Sequence, residues 1–235
     1  MKSFPGIIVK PNDSIGADHV FHCKTLAEAV NAFHVINNQI NGLGHINKGA
    51  LCQEYLVGTE YLIDGVSRDG VYKVVAIWKS DKRSVNGANF VYFGMTLVDA
   101  STPEVKAIVQ YAEKVVRALK INQGPTHMEV IANTVIQQHP TTGDEQLVHD
   151  VCLVEVGTRC HGGEGTWIPV VQECIGYSQL DATLNAFLRP DQFDAIPAVP
   201  TLRNHGMEAL LVSYQEGTLQ EISGLDAIRE LSSFR

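Results

Sequence analysis

Two glutamates stand where a charge is costly to bury. Glu129 lies in THMEVIAN and Glu155 in LVHDVCLVEV, each set among apolar residues, and the short polar PTTGDE between the two runs makes them antiparallel neighbours. A lone buried carboxylate is unfavourable, and two side by side repel unless a cation lies between them or one is protonated. Magnesium meets that need, being a hard ion held by one or two carboxylates with substrate phosphates completing its oxygen shell. The residues alone leave a second reading open, in which one Glu faces solvent and the other forms a structural salt bridge with Arg159. That arginine stands four residues after Glu155, where the strand VEVGTRCHGGEG runs into glycines.

Two other stretches offer contacts to an anionic ligand. Lys10 ends the short apolar run GIIVK and is followed by PNDSIG, so an ammonium and several turn N–H groups could meet one phosphate. This is not the Gly-x4-Gly-Lys-Ser/Thr phosphate loop, and a surface lysine at a strand end is the plain alternative. QEYLVGTEY combines an edge-strand backbone around Glu54 and Leu56, able to meet a purine, with Glu60, able to accept hydroxyl protons from a sugar. Cys160-His161 invites a nucleophile reading, but adjacent residues at a strand end point apart. His19 and His22, read on one strand, fall on opposite faces and make a poor zinc pair. Lys79, Lys82 and Arg83 could reach phosphates from their loop, though a solvated loop is the plainer reading.

The elements that would hold these residues mix helix with mainly antiparallel sheet, an α+β pattern. Thr25 and Glu28 have capping-box spacing before a helix whose apolar stripe is Leu26, Val30, Phe33 and Ile40. TEYLIDGV and VYKVVAIWK form a hairpin about Arg68-Asp69-Gly70; Ser80 to Asn89 is then a polar loop, succeeded by the strand FVYF. Thr102-Pro103-Glu104 starts a helix that buries Val105, Ile108, Ala112, Val115 and Leu119. From Trp167 the pattern is helical, broken by RPDQF and AIPAVP, with a short hairpin near Leu211 to Leu219.

Composition narrows the function. A net charge of −8, with 18 basic residues scattered among 26 acids, argues against a general nucleic-acid surface. It leaves room for one phosphate-holding pocket. No stretch approaches the ~20 apolar residues of a membrane span. Five widely spaced cysteines without a CxxC pair suggest reduced thiols, hence a cytoplasmic protein.

In this order and with these gaps, VKPNDSIG, QEYLVGTEY, THMEV and VEVGTRCHGG resemble the ATP-grasp superfamily, in particular its carboxylate-amine ligases of the L-amino acid ligase and carnosine synthase type. The resemblance implies two α+β subdomains of mainly antiparallel sheet gripping a nucleotide between them. It implies that Lys10 contacts the ATP phosphates under a mobile loop containing Ser14 and Gly16, that Gln53 and the backbone of Glu54 and Leu56 hold adenine, and that Glu60 holds the ribose. Glu129 and Glu155 would be the ligands of magnesium, or of manganese, and Arg159 would face the acyl phosphate, with Gly162 and Gly163 lining the substrate end. The implied reaction joins a small carboxylate, such as an amino acid, to an amine. Its partners are then ATP and these substrates, not nucleic acid or membrane, and a homodimer is compatible with it.

Three departures qualify the match. Many relatives carry Asn two residues after the second metal Glu, where this chain has Gly157. The phosphate loop has Gly16 but His19 where a second glycine is common. The family's N-terminal α/β domain has no counterpart ahead of VKP. The expected division is therefore residues 1–52 as part of the first subdomain, 53–189 as the second with the metal site, and 190–235 as the start of a C-terminal lobe. A partial chain also admits a different class, a non-catalytic nucleotide-binding module or scaffold.

Overall fold

A computed structural model describes residues 5–138, 141, 143–232 and 234. The turn PTTGDE falls partly outside these residues. The chain forms two compact units, residues 1–57 with 83–91, and residues 58–82 with 92–235.

In the first unit β1 (Ile7–Lys10) is the centre of a three-stranded sheet, flanked by antiparallel β2 (Phe21–Cys23) and β3 (Leu51–Glu54). The unit's first stretch runs to residue 57. Helix α1 (Leu26–Ile36) starts at the anticipated capping box: Thr25 accepts from the Glu28 N–H, and Glu28 reaches back to the Thr25 N–H. The expected apolar stripe is on the wrong face. Ala29, Ala32 and Ile36 pack with Val9 and Cys23, whereas Leu26, Val30, Phe33 and Ile40 are exposed. Small residues let the helix lie close to the sheet, so packing distance outweighs side-chain hydrophobicity.

The second unit is built on a six-stranded sheet in the order β8-β7-β4-β5-β6-β9. Its strands are β4 (Thr59–Arg68), β5 (Val71–Val85), β6 (Ala88–Leu97), β7 (Gly124–Gln138), β8 (Glu145–Gly157) and β9 (Met207–Ala209). The Arg68-Asp69-Gly70 hairpin forms as expected, with Asp69 and Gly70 both at positive φ. The expected loop from Ser80 to Asn89 does not form: β5 continues to Val85, Asn86 and Gly87 take positive φ, and β6 begins at Ala88. Asn-Gly is here a two-residue hairpin turn, which sends polar strands on both sides of it. The ends of these two strands, residues 83–91, cluster with the first unit.

Helix α2 (Pro103–Ala118) covers one face of the sheet. Thr102 caps it, Pro103 occupies the first turn, and Val105, Ile108, Val109, Ala112 and Val116 are buried with Tyr61, Ile63, Met128 and Val130. Val116 also joins this face, the expected Val115 packs against it part-buried, and the expected Leu119 is exposed. Helices α3 (Ile168–Cys174), α4 (Gln179–Leu188) and α5 (Pro190–Ala195) lie against the other face, where Leu62, Ala76 and Trp78 meet Trp167 and Val171, and Val66 and Val75 meet Ala182 and Phe193. Pro190 both ends α4 and starts α5, so RPDQF is helix rather than interruption. The expected hairpin near Leu211 to Leu219 is absent among the described residues; the preceding Met207–Ala209 pairs with β6 instead. Lys73 ties α5 down by donating to the backbone oxygens of Phe193, Asp194 and Ile196. No helix among the described residues is long and apolar enough to cross a membrane.

A single carboxylate joins this sheet to the segment beyond its last long strand. Asp64 on β4 is fully buried and accepts from Trp78 Nε1 (2.9 Å) on β5, His127 Nδ1 (2.7 Å) on β7 and His161 Nδ1 (2.8 Å) beyond β8. An ionised carboxylate only accepts, so each Nδ1 carries the proton. Burial pushes this carboxyl up, but the two imidazole donors outweigh it and hold the group well below the usual carboxylate range. A depressed native pKa contributes stability that is complete above the unfolded value, begins to decline as pH falls below about 4, and is lost only as pH passes the depressed native value. Asp64→Asn, which turns an N–H₂ toward donors, should lower unfolding free energy by about 3 kcal/mol at pH 7. Urea unfolding at pH 7 and pH 3 should find this gap wide at the first and smaller but still open at the second, where the native carboxyl remains ionised.

Candidate active site

Strand alternation puts Glu60, Leu62 and Asp64 on one face of β4. Antiparallel register sets Leu62 between Trp78 and Glu129, and Asp64 between Ala76 and His127. Glu129 is directly opposite Glu155, with a bulge just beyond: Val130 pairs with Leu153, so Val154 is the extra residue. The two glutamates anticipated as neighbours are therefore cross-strand partners, Glu129 largely buried and Glu155 exposed.

Lys82 is not in a solvated loop. Its Nζ lies 2.7 Å from Glu60 Oε1, 3.4 Å from Glu129 Oε2 and 4.3 Å from the centre of the Tyr92 ring. Burial opposes its charge, but Glu129 and Glu60 more than compensate and keep the ammonium protonated. Burial also raises Glu60, against Lys82 and with help from the charge of Glu129. For Glu129, burial is outweighed chiefly by Lys82, and its carboxyl is lowered. Glu60 Oε2 is buried without a hydrogen-bond partner. Glu60, Glu129 and Glu155 offer only carboxylate oxygens, one of them orphaned, a donor chemistry that fits a hard divalent cation, and Lys82 supplies the positive charge between the first two.

Beside them, Asp64, His127 and His161 bring ligand-type atoms within 4.8 Å of one another. Their N···O separations are hydrogen-bond lengths along N–H directions, so this group is a hydrogen-bond network rather than an ion cage. His161 is fixed further. Its N–H donates to Gln179 Oε1 (2.8 Å), its ring stacks on Trp167 at 5.2 Å, and Trp167 Nε1 donates to the next residue's carbonyl, Gly162 O (2.8 Å).

Arg159 is exposed at the end of β8, and its Nη1 donates to Cys160 O. The stem of Arg159 lies over Gly157: a Cβ there would sit 3.3 Å from Arg159 Cγ. The remaining predicted residues belong to the first unit. Lys10 ends β1 opposite Leu51. Ser14 donates to Asp18 (2.7 Å), which also accepts from the Gly42 N–H (2.8 Å), so the loop is tethered. Gly16 has φ 59 and His19 φ 55, so His19 holds a left-handed conformation of the kind glycine adopts most easily. His19 thus stands in a turn, not on the strand that carries His22. Gln53 and Glu54 lie on β3, an edge strand, with Leu56 just after it.

Sequence reasoning missed Lys82, Tyr92, Asp64, His127 and His161. His127 carried a signal, being two residues before Glu129 on one strand and so on the same face. Asp64 carried a weaker one, as a lone acid in the apolar run YLIDGV.

Comparison with known proteins bears on the same elements. A family profile described as the ATP-grasp domain matches residues 3–141, more than half of the chain. Dapdiamide A synthase from Enterobacter agglomerans is 33% identical over 187 residues, 80% of this chain and 40% of that protein. Among solved structures, L-amino acid ligase from Bacillus licheniformis superposes with a TM-score of 0.71 at 22% identity, covering 96% of this chain and 50% of the ligase. A biotin carboxylase from Campylobacter jejuni complexed with beta-gamma-ATP gives 0.61 at 12% identity, covering 87% of this chain and 41% of that one. The chain thus spans half or less of the length of these relatives. With more than half its length matched by the family profile and a relative 33% identical over 80% of it, the chain belongs to the ATP-grasp family.

Proposed function

We propose that this chain is the ATP-binding part of a carboxylate-amine ligase, which activates a carboxylate as an acyl phosphate and lets an amine displace the phosphate to form an amide. The observation that carries this reading is the cross-strand pair Glu129 and Glu155 beside an ammonium-bridged Glu60. The relative named dapdiamide A synthase and the structural likeness to an L-amino acid ligase supply the reaction class and point to amino acids as substrates.

A carboxylate is a poor electrophile at neutral pH, and phosphorylation gives it a leaving group. Lys10, at the end of β1, binds ATP phosphates, and the β3 edge with Gln53, Glu54 and Leu56 holds the adenine. Glu60 lies beside Lys82 and Glu129, so its role is in ordering those carboxylates as well as in the ribose contact first expected of it. Glu129 and Glu155 would hold magnesium, which when bound neutralises charge on the phosphoryl oxygens. Arg159 orients the acyl phosphate and offsets its charge. Lys82 keeps Glu60 and Glu129 apart in charge terms while no other cation is near.

A well-placed charge of this kind is worth about 3–4 kcal/mol in the transition state. Glu129→Gln and Glu155→Gln should therefore each lower magnesium-dependent phosphate release from ATP plus amino-acid pairs by about 10²-fold or more. Turnover near that of the parent in both variants would remove the assignment, and magnesium-dependent nucleotide binding without turnover in the parent would favour a scaffold. Replacement of Lys82 by Met should destabilise the metal-free protein by about 2–3 kcal/mol, because two part-buried carboxylates lose their shared cation. Added magnesium should raise the Tm of Lys82→Met by more than it raises that of the parent, as thermal melts with and without the ion would record.

A further inference from the structure

Amide formation needs one step that the metal carboxylates and Arg159 do not serve. An amine reaches the site mostly as an ammonium, since α-amino groups titrate near pH 8. An ammonium has no lone pair to attack with, and a group must take its proton beside the acyl phosphate.

We infer that His161 is that proton acceptor, a catalytic base for the incoming amine held in its working tautomer by Asp64; the assignment rests on the ligase function proposed for the chain. Three observations carry it. The first is tautomer: Asp64 takes the Nδ1 proton of His161 at 2.8 Å, so the lone pair of the neutral ring is on Nε2. This is the logic by which a carboxylate orients a catalytic imidazole. The second is position. His127 and Glu129 alternate on one face of β7, about 7 Å apart along the strand. His161 packs on His127, with ring centres 4.3 Å apart, and follows Arg159 by two residues. A Cβ on the next residue, Gly162, would lie 3.8 Å from Arg159 Nη1, so the imidazole and the guanidinium flank one short glycine segment.

The third is rigidity with one opening. Gln179, Trp167 and Asp64 fix the backbone and ring of His161, yet 8% of its side chain stays exposed, so part of the ring is not enclosed. Asp64 accepts three N–H groups at once, more than a lone packing histidine requires. His127 shares that carboxylate from the middle of the sheet, whereas His161 stands on the glycine-flanked segment where substrate backbone could approach.

In the step, Nε2 takes one proton from the ammonium and frees the nitrogen lone pair. That pair forms the C–N bond to the acyl carbon, the bond from that carbon to the phosphate oxygen breaks, and phosphate leaves with the bonding electrons and the second N–H proton. The imidazolium then returns its proton to solvent.

His161→Asn keeps an N–H for Asp64 and removes the base. The test compares parent and variant with ATP, an amino-acid carboxylate and either an amino-acid amine or hydroxylamine, which is neutral at pH 7 and intercepts acyl phosphate without a base. The expected result is that the ratio of amide to hydroxamate formation falls by about 10²-fold or more. In His161→Ala, added imidazole should recover part of the amide rate. An unchanged ratio, whether both rates fall together or neither falls, overturns the assignment and leaves His161 as a packing residue. No hydroxamate or amide from the parent would remove the ligase reading itself, and this one with it.

Discussion

The carboxylate of Asp64 is the point on which the second unit turns. It is buried completely, so its charge is tolerable only because N–H groups from β5, β7 and the segment after β8 all aim at it. The three donors are far apart in sequence, and meeting one carboxylate fixes the strand register and the path of the chain beyond the sheet together. Gln179 extends the arrangement by donating to the carbonyls of Gly65 and Thr126 while accepting from the His161 N–H. The helical layer is thereby tied to the strand ends through Gln179, whose amide N–H₂ and oxygen both have partners.

On the same face the second buried charge problem is solved differently. Glu60 and Glu129 would repel, and Lys82 is placed between them on an extended β5 rather than in a loop. Tyr92 from β6 closes the ammonium from one side. Charge balance therefore runs in two steps along β4, from an ammonium between two carboxylates to a carboxylate between two imidazoles. The first offsets two carboxylates with one shared cation and the second satisfies a carboxylate with N–H donors, which lets polar chemistry sit above a core of Leu62, Trp78 and Trp167.

Much of this was legible from local pattern. The capping box at Thr25, the Pro103 helix start, the Asp69-Gly70 hairpin and the pairing of Glu129 with Glu155 come from short-range signals and from the length of one turn. The features that stayed hidden depend on distance in sequence. His161 was weighed against its neighbour Cys160, while its partner Asp64 stands 97 residues away. Lys82 looked solvated because its own segment is polar, and only the reach of β5 past Ser80 brings it to Glu60. The face of α1 was misjudged because large apolar side chains were taken to mark the buried side, when Ala29 and Ala32 allow the closer fit.

The close approach of Arg159 to Gly157 couples two positions through one contact. A side chain at 157 needs the arginine stem to give by a few tenths of an ångström, since the first carbon added would lie 3.3 Å from its Cγ. Substitutions at the two sites are therefore coupled, and an asparagine at 157 would come with a differently held guanidinium. This chain has kept the other solution, a bare backbone that serves as the bed for its own arginine.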